Sequence, residues 1–136
     1  MGAGASISLR DVSYYFGSGE LRKQILFNIS QEIQGGEIVI LTGPSGSGKT
    51  TLLTLIGVLR STQEGSVKVL GNELRGASQE QQVAVRRQIG YIFQQHNLLE
   101  SLSVSQNIQM ALELSGNRER HAWPGRIETV LDHVGM

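Results

Sequence analysis

The sequence predicts an α/β fold in which short apolar strands alternate with amphipathic helices. Residues 38–41 form an unbroken apolar run, typical of a buried parallel strand. A glycine-rich segment follows at 43–48, and residues 49–59 carry leucine, isoleucine and valine at helical spacing. Upstream, apolar residues alternate with polar ones, as in antiparallel strands with one buried face. We therefore expect a parallel-sheet core preceded by an antiparallel β portion.

The antiparallel portion is predicted to cover residues from about 6 to 40 and from about 66 to 75. Alternation begins at Ile7 and resumes across 25–33, with a Gly-Ser-Gly turn at 17–19 between the two strands. Val67 and Val69 continue the pattern in a third short strand.

The second half of the sequence is predicted to be mainly helical. A short polar helix is expected to end near Arg87, an apolar strand to cover 89–93, and a helix with an apolar stripe to end near 116–117. A last helix is expected to begin at Pro124 and to close at Gly135. Two capping boxes mark helix starts: Ser78 with Gln81, and Ser103 with Gln106.

The bulk composition limits the classes of protein to consider. The chain has 136 residues, no cysteine, and 12 basic against 12 acidic side chains. Such a length suggests one domain over residues 1–136, and the lack of cysteine excludes a disulfide framework. The balanced charge argues against a nucleic acid partner, which would require clustered lysine and arginine. No apolar run approaches the ~20 residues of a membrane-spanning helix.

The glycine-rich segment matches the full phosphate-binding pattern G-x-x-x-x-G-K-[ST]. Glycines allow backbone N–H groups to converge on an anion, and the following helix N-terminus adds partial positive charge. Lysine would neutralise the β- and γ-phosphates, and the threonine hydroxyl would bind Mg²⁺. A glycine-rich turn that merely starts a helix is the alternative, but eight consecutive matches between a strand and a helix disfavour it. The predicted ATP-binding residues of this loop are Gly43, Pro44, Ser45, Gly46, Ser47, Gly48, Lys49, Thr50 and Thr51.

Together with the loop, several later segments resemble the ATP-binding subunit of ABC transporters. These are Gly65-Ser66-Val67, Gly71 and Ile89-Gly90-Tyr91-Ile92-Phe93-Gln94, in that order. The string 93–99 and the Gln-Asn-Ile at 106–108 are similar to the lipoprotein-release and macrolide-export branch. The resemblance covers almost the whole chain. It implies a P-loop NTPase core, followed after Gln94 by the start of a helical subdomain.

The resemblance also implies roles for individual residues. Gln94 matches the glutamine of the Q-loop, which would contact Mg²⁺ or the attacking water; the alternative is a polar residue at a strand end. Lys49 and Gln94 are thus the candidate catalytic residues, and Thr50 and Gln94 the candidate Mg²⁺ ligands. The aromatic residue that stacks on adenine falls within 14–16, with Phe16 preferred and Tyr14 or Tyr15 as alternatives.

Other motifs of the family have no match in this sequence. They are the Walker B aspartate with its neighbouring glutamate, the Leu-Ser-Gly-Gly-Gln signature and the switch histidine. The string 114–117 lacks the second glycine and the glutamine, and the residues before Asp132 have helical periodicity. We therefore expect a domain that is incomplete at its C-terminus and binds ATP without efficient turnover.

Two functions remain open at this point. The resemblance implies an exporter subunit on the cytoplasmic face of the membrane, which couples Mg·ATP hydrolysis to a membrane-spanning subunit and pairs with a second ATP-binding protomer. The alternative is a non-catalytic nucleotide-binding fragment, which could sequester the membrane subunit. A kinase or GTPase is disfavoured by the 91–94 block and by the lack of an Asn-Lys-x-Asp string.

Overall fold

The computed structural model describes residues 5–94, 98–115 and 119–136. The chain divides into two compact units, Met1–Ile89 and Gly90–Met136. The first unit contains the sheet and the glycine-rich loop, and the second consists of helices and loops.

The first unit is built on a four-stranded antiparallel sheet with the strand order β2-β1-β3-β4. Strand β1 (Ile7–Phe16) lies in the middle and pairs with both β2 (Lys23–Ile33) and β3 (Glu64–Val69), while β4 (Asn72–Glu73) forms an edge. The predicted N-terminal antiparallel portion is therefore formed.

Strand β1 is irregular, and one glycine accommodates this irregularity. The pairing of β1 with β3 shifts between Arg10 and Ser13, and Asp11 adopts a positive φ of 49°. Gly65 faces this bulge with φ +82°, and a Cβ at this position would lie 2.4 Å from the Asp11 carbonyl oxygen. Any side chain at position 65 would therefore collide with the backbone of β1.

Two helices complete the first unit, α1 (Lys49–Ile56) and α2 (Gln79–Arg86). Their apolar residues join those of the sheet in one buried core. The guanidinium of Arg86 donates two hydrogen bonds, of 3.0 and 2.7 Å, to the carbonyl oxygen of Val58, just after α1. The core consists of Leu9, Val12, Tyr14, Leu26, Leu55, Val58, Val67, Val69, Leu74 and Val85.

The strands predicted at 38–41 and 89–93 are not formed, so the expected parallel sheet is absent from the described residues. Ile38 is 95% exposed and Ile92 is 90% exposed, whereas Ile89 packs against the core. A parallel strand requires neighbouring strands for its backbone groups and cover on both faces. The four strands of the described sheet pair only with one another, and neither segment has a partner among them.

The second unit contains α3 (Val104–Leu114), a short 3₁₀ turn at Arg120–Ala122, and α4 (Trp123–His133). Both capping boxes are formed as predicted: Ser78 caps α2 and Ser103 caps α3. The side-chain amide of Asn107 bonds to the backbone of Leu99, Leu102 and Ser103, and so fixes the loop that leads into α3. Gly135 follows α4 with φ +76°, as expected of a glycine that ends a helix. The predicted end of α3 near 116–117 lies outside the described residues.

None of the helices within the described residues is long and apolar enough to cross a membrane.

Candidate functional site

The glycine-rich loop adopts the conformation that its sequence predicts. Gly43, Gly46 and Gly48 all have positive φ, at +154°, +79° and +90°. A Cβ on Gly48 would lie 2.8 Å from Leu26 Cδ2, so the absence of a side chain lets the loop pack closely against β2. A Cβ on Gly43 would lie 2.9 Å from Ser47 Oγ, inside the loop itself. A side chain at position 48 would therefore push the loop away from β2, and one at position 43 would collide with Ser47 within the loop.

Lys49 holds its ammonium group over this loop. Its Nζ donates hydrogen bonds of 2.7 Å to the carbonyl oxygens of Gly43 and Pro44, and a longer one of 3.4 Å to Ser47 Oγ. The loop is also closed by the Ser47 N–H, which donates to the Pro44 carbonyl at 3.3 Å. The loop carbonyls therefore hold the positive charge of Lys49 close to the loop backbone.

The N-terminus of α1 opens into the same space. Gly48 is the N-cap residue, and no side chain caps the helix. The first helical hydrogen bond of α1 runs from the Leu52 N–H to the Gly48 carbonyl, at 2.9 Å. The N–H groups of Lys49, Thr50 and Thr51 precede that bond and have no acceptor within the helix, so they are available to an anion.

Phe16 and the loop line one cavity of about 310 Å³. Phe16 is the last residue of β1 and is 38% exposed, which leaves part of its ring accessible to a ligand. The remaining lining residues are Ile25, Ser45, Gly46, Gly48, Lys49, Thr50 and Thr51. An aromatic surface, a helix N-terminus and a fixed ammonium thus lie around one space, a combination that fits a nucleotide with its base and its phosphates.

The two neighbouring tyrosines, the alternatives to Phe16, are engaged elsewhere. Tyr14 is buried in the core. Tyr15 carries the Arg22 guanidinium 3.7 Å from its ring centroid, and its hydroxyl donates to Glu64 at 3.2 Å. Partial burial and the Glu64 carboxylate raise the pKa of the Tyr15 hydroxyl above its ordinary value. Of the three aromatics, Phe16 alone is among the cavity-lining residues.

Gln94 belongs to the second unit, where it is exposed in a turn. The residues that follow it at 95–97 lie outside the described part of the chain. Its predicted contact with Mg²⁺ or water therefore stays a prediction.

One residue beside the cavity, Arg60, was not indicated by any sequence pattern. Its guanidinium carbon lies 4.9 Å from the ring centroid of Phe16 and 6.0 Å from that of Tyr14. A lone arginine after a helix matches no motif, and the contact joins two distant parts of the sequence. Only the folded structure reveals it.

The folded loop, with its lysine and helix N-terminus, defines a P-loop nucleotide-binding protein. The family model described as ABC transporter matches residues 26–136, and the chain belongs to this family.

Relatives of known name agree with this assignment. The chain is 35% identical to the lipoprotein-releasing system ATP-binding protein LolD 2 of Rhodospirillum rubrum, over 96% of this chain and 57% of that protein. It is 37% identical to the macrolide export ATP-binding/permease protein MacB of Neisseria meningitidis, over 96% of this chain and 20% of MacB. It is also 38% identical to the methionine import ATP-binding protein MetN 1 of Salmonella typhimurium, over 96% of this chain and 38% of MetN 1.

Solved structures support the same fold. The ATP-binding cassette MJ0796, in a dimeric post-hydrolysis state bound to ADP and Pi, matches with a TM-score of 0.82 and 31% identity, over 93% of this chain and 56% of that one. A second dimeric structure of MJ0796 matches with a TM-score of 0.79 and 32% identity, over 88% of this chain and 53% of that one. The predicted α/β class and the resemblance to the LolD and MacB ATPases are thereby confirmed. The chain spans about half or less of the length of the proteins it matches.

Proposed function

We propose that this chain is the ATP-binding part of an ABC exporter, which couples Mg·ATP binding and hydrolysis to transport through a membrane-spanning partner. The observation that carries the proposal is the loop at 43–51, where positive-φ glycines, the Lys49 ammonium and the α1 N-terminus lie around one space. In this assignment, residues 43–51 hold the phosphates and Phe16 stacks on the adenine ring.

Each polar group of the loop would have a separate task. Lys49 would exchange its bonds to the loop carbonyls for bonds to the β- and γ-phosphates. The N–H groups at the start of α1 would bind phosphate oxygens. Thr50 lines the cavity and offers a hydroxyl oxygen, the type of ligand that Mg²⁺ prefers. When bound, Mg²⁺ would neutralise phosphate charge during transfer. Gln94 would orient the attacking water or contact the metal.

The partners and the location belong to the same proposal. Relatives named as ATP-binding proteins of lipoprotein-releasing and macrolide-export systems favour a membrane-spanning subunit as partner and a position on the cytoplasmic face of the membrane. The dimeric MJ0796 cassette favours pairing with a second protomer.

Identity alone does not set the direction of transport, since the methionine import protein is as similar as the export proteins. We base export on the 93–99 string, and propose a likeness within that branch to DevA, the ATPase of the cyanobacterial heterocyst glycolipid exporter.

Titration calorimetry with Mg·ATP tests the binding role directly. Wild type should show saturable binding, and Lys49→Ala should weaken it on the order of 10- to 100-fold, because a hydrogen-bonded charge is lost. The matched control is Lys68→Ala, an exposed lysine on β3 away from the loop. An absence of saturable binding by wild type would refute the proposal.

Phosphate release from the same samples tests the catalytic role. Release by wild type above the Lys49→Ala background would support an ATPase. Binding without release would favour the alternative, a nucleotide-binding module without turnover.

A further inference from the structure

We infer that Arg60 is a positioning residue for adenine, which holds Phe16 in the orientation that faces the nucleotide cavity. The inference rests on the proposed function, because it requires that the cavity bind a nucleotide. Three properties of Arg60 support it: its place on the backbone, the rings it contacts, and the absence of a competing ion pair among the described residues.

The backbone places Arg60 in the turn that ends α1. The N–H groups of Leu59 and Arg60 both donate to the Thr54 carbonyl oxygen, at 2.8 and 3.2 Å. The same turn is also anchored two residues earlier, because the Arg86 guanidinium binds the Val58 carbonyl. These hydrogen bonds hold the backbone of Arg60 in place, so the starting point of its side chain is fixed.

From this turn the Arg60 side chain reaches two aromatic rings. Its guanidinium lies 4.9 Å from the Phe16 centroid and 6.0 Å from the Tyr14 centroid, within the range of a cation–π contact. The two rings meet edge to face, with centroids 5.3 Å apart. Phe16 is therefore held by the buried Tyr14 and by the Arg60 cation together.

The charge of Arg60 is not shared with a carboxylate in the part of the chain that the structure describes. Salt bridges there join Arg10 to Glu32 and Arg22 to Glu64, and neither involves Arg60. The guanidinium is therefore directed to the rings. The residues that line the cavity include Phe16 but not Arg60, so the cation supports the ring without occupying the space for the base.

A half-exposed phenylalanine at a strand end would otherwise sample several rotamers, and a base would have to restrict them on binding. The cation–π contact already restricts the Phe16 rotamers in the free protein, so binding the base does not carry this entropic cost. Arg60 should consequently affect the binding of the base and leave the binding of the phosphates unchanged.

The experiment compares the affinities of the wild-type chain and its variants for Mg·ATP and for magnesium triphosphate without a nucleoside. Arg60→Gln should weaken Mg·ATP binding by roughly two- to fivefold and leave triphosphate binding unchanged. Arg60→Lys, which keeps a cation, should retain most of the affinity. In a Phe16→Ala background, Arg60→Gln should have no further effect, because the ring on which it acts is gone. The matched control is Arg22→Gln, which removes the cation from Tyr15, a ring outside the cavity lining.

The outcomes separate the two proposals. If wild type binds neither ligand, the proposed function fails and this inference fails with it. If wild type binds Mg·ATP and Arg60→Gln binds it equally well, the inference alone is refuted. Equal weakening of both ligands by Arg60→Gln, or an undiminished effect in the Phe16→Ala background, would also refute it.

Discussion

The four-stranded sheet and the apolar segment at 38–41 belong to the same compact unit, yet they differ sharply in burial. In β1, Leu9 is 2% exposed, whereas Ile40 is 82% exposed. Each strand of the sheet pairs with at least one other strand among the described residues. Residues 38–41 are also apolar and mostly β-branched, but they pair with no strand among the described residues. Of these two apolar segments, the one with pairing strands is buried and the one without them is exposed, so hydrophobicity alone does not account for the difference.

The glycine-rich loop directly follows residues 38–41, but it is supported by the sheet. It packs against β2 through Gly48 and continues into α1, whose Leu55 is part of the core. The cavity proposed to bind the nucleotide is thus lined by residues of β1, β2, the loop and α1. The difference between the two regions leads to three predictions about stability.

The largest expected effect separates two apolar residues of equal size. Leu9→Ala should lower the free energy of unfolding by about 2–5 kcal/mol, because it opens a cavity in the core. Ile40→Ala should change it by less than about 0.5 kcal/mol, because the side chain is already in water. Urea titrations followed by far-ultraviolet circular dichroism measure both. A large loss for Ile40→Ala would show that residues 38–41 are buried in solution, contrary to their exposure in the structure.

The next prediction concerns the bulge of β1. Gly65→Ala should cost about 2–3 kcal/mol, since its Cβ would collide with the Asp11 carbonyl in addition to the strain of φ +82°. The same urea titrations measure this loss.

Gly71→Ala is the matched control for this change. Gly71 has a similar φ of +78°, and a Cβ at this position would meet no atom within 4 Å. The substitution should cost about 1–2 kcal/mol, which is the strain alone. Equal losses in the two variants would mean that β1 does not approach position 65 in solution.

The smallest effect is a pH dependence at the sheet edge. Burial raises the pKa of the Glu73 carboxyl, but hydrogen bonds from Ser66 and from the N–H groups of Arg75 and Val67 outweigh it, so the net pKa is below the ordinary value of 4.5. Its stabilising contribution is therefore present above about pH 4.5 and is lost as the pH falls through the lower pKa of the folded state.

Glu73→Gln should accordingly lose less stability than wild type between pH 6 and pH 3. The difference should stay below about 1 kcal/mol, because the carboxylate is largely solvated. Urea midpoints at the two pH values measure it, with Glu20→Gln, outside the sheet, as the control. Identical pH dependence of Glu73→Gln and wild type would contradict the assignment.

Local features of this chain could be predicted from sequence, whereas features that require distant partners could not. The loop conformation and the caps at Ser78 and Ser103 depend on a few adjacent residues, and the structure has them as expected. The strand at 38–41 depends on partners that no local pattern reveals. Because the pairing of β1 with β2 shifts near Tyr14 and Tyr15, strand alternation alone could not select among the three aromatics, and the preference for Phe16 came from the family resemblance. The contact between Arg60 and Phe16 joins two distant parts of the sequence, so no local pattern could predict it.

The exposed segment at 38–41 also has a consequence for the behaviour of concentrated solutions. It is a run of β-branched and leucine residues without charge, and the whole chain carries a formal net charge of zero at pH 7. Molecules without net charge do not repel one another, and bare segments with high strand propensity pair between molecules. Solubility should therefore be lowest near neutral pH, and buffers well away from neutrality should suit concentrated samples better.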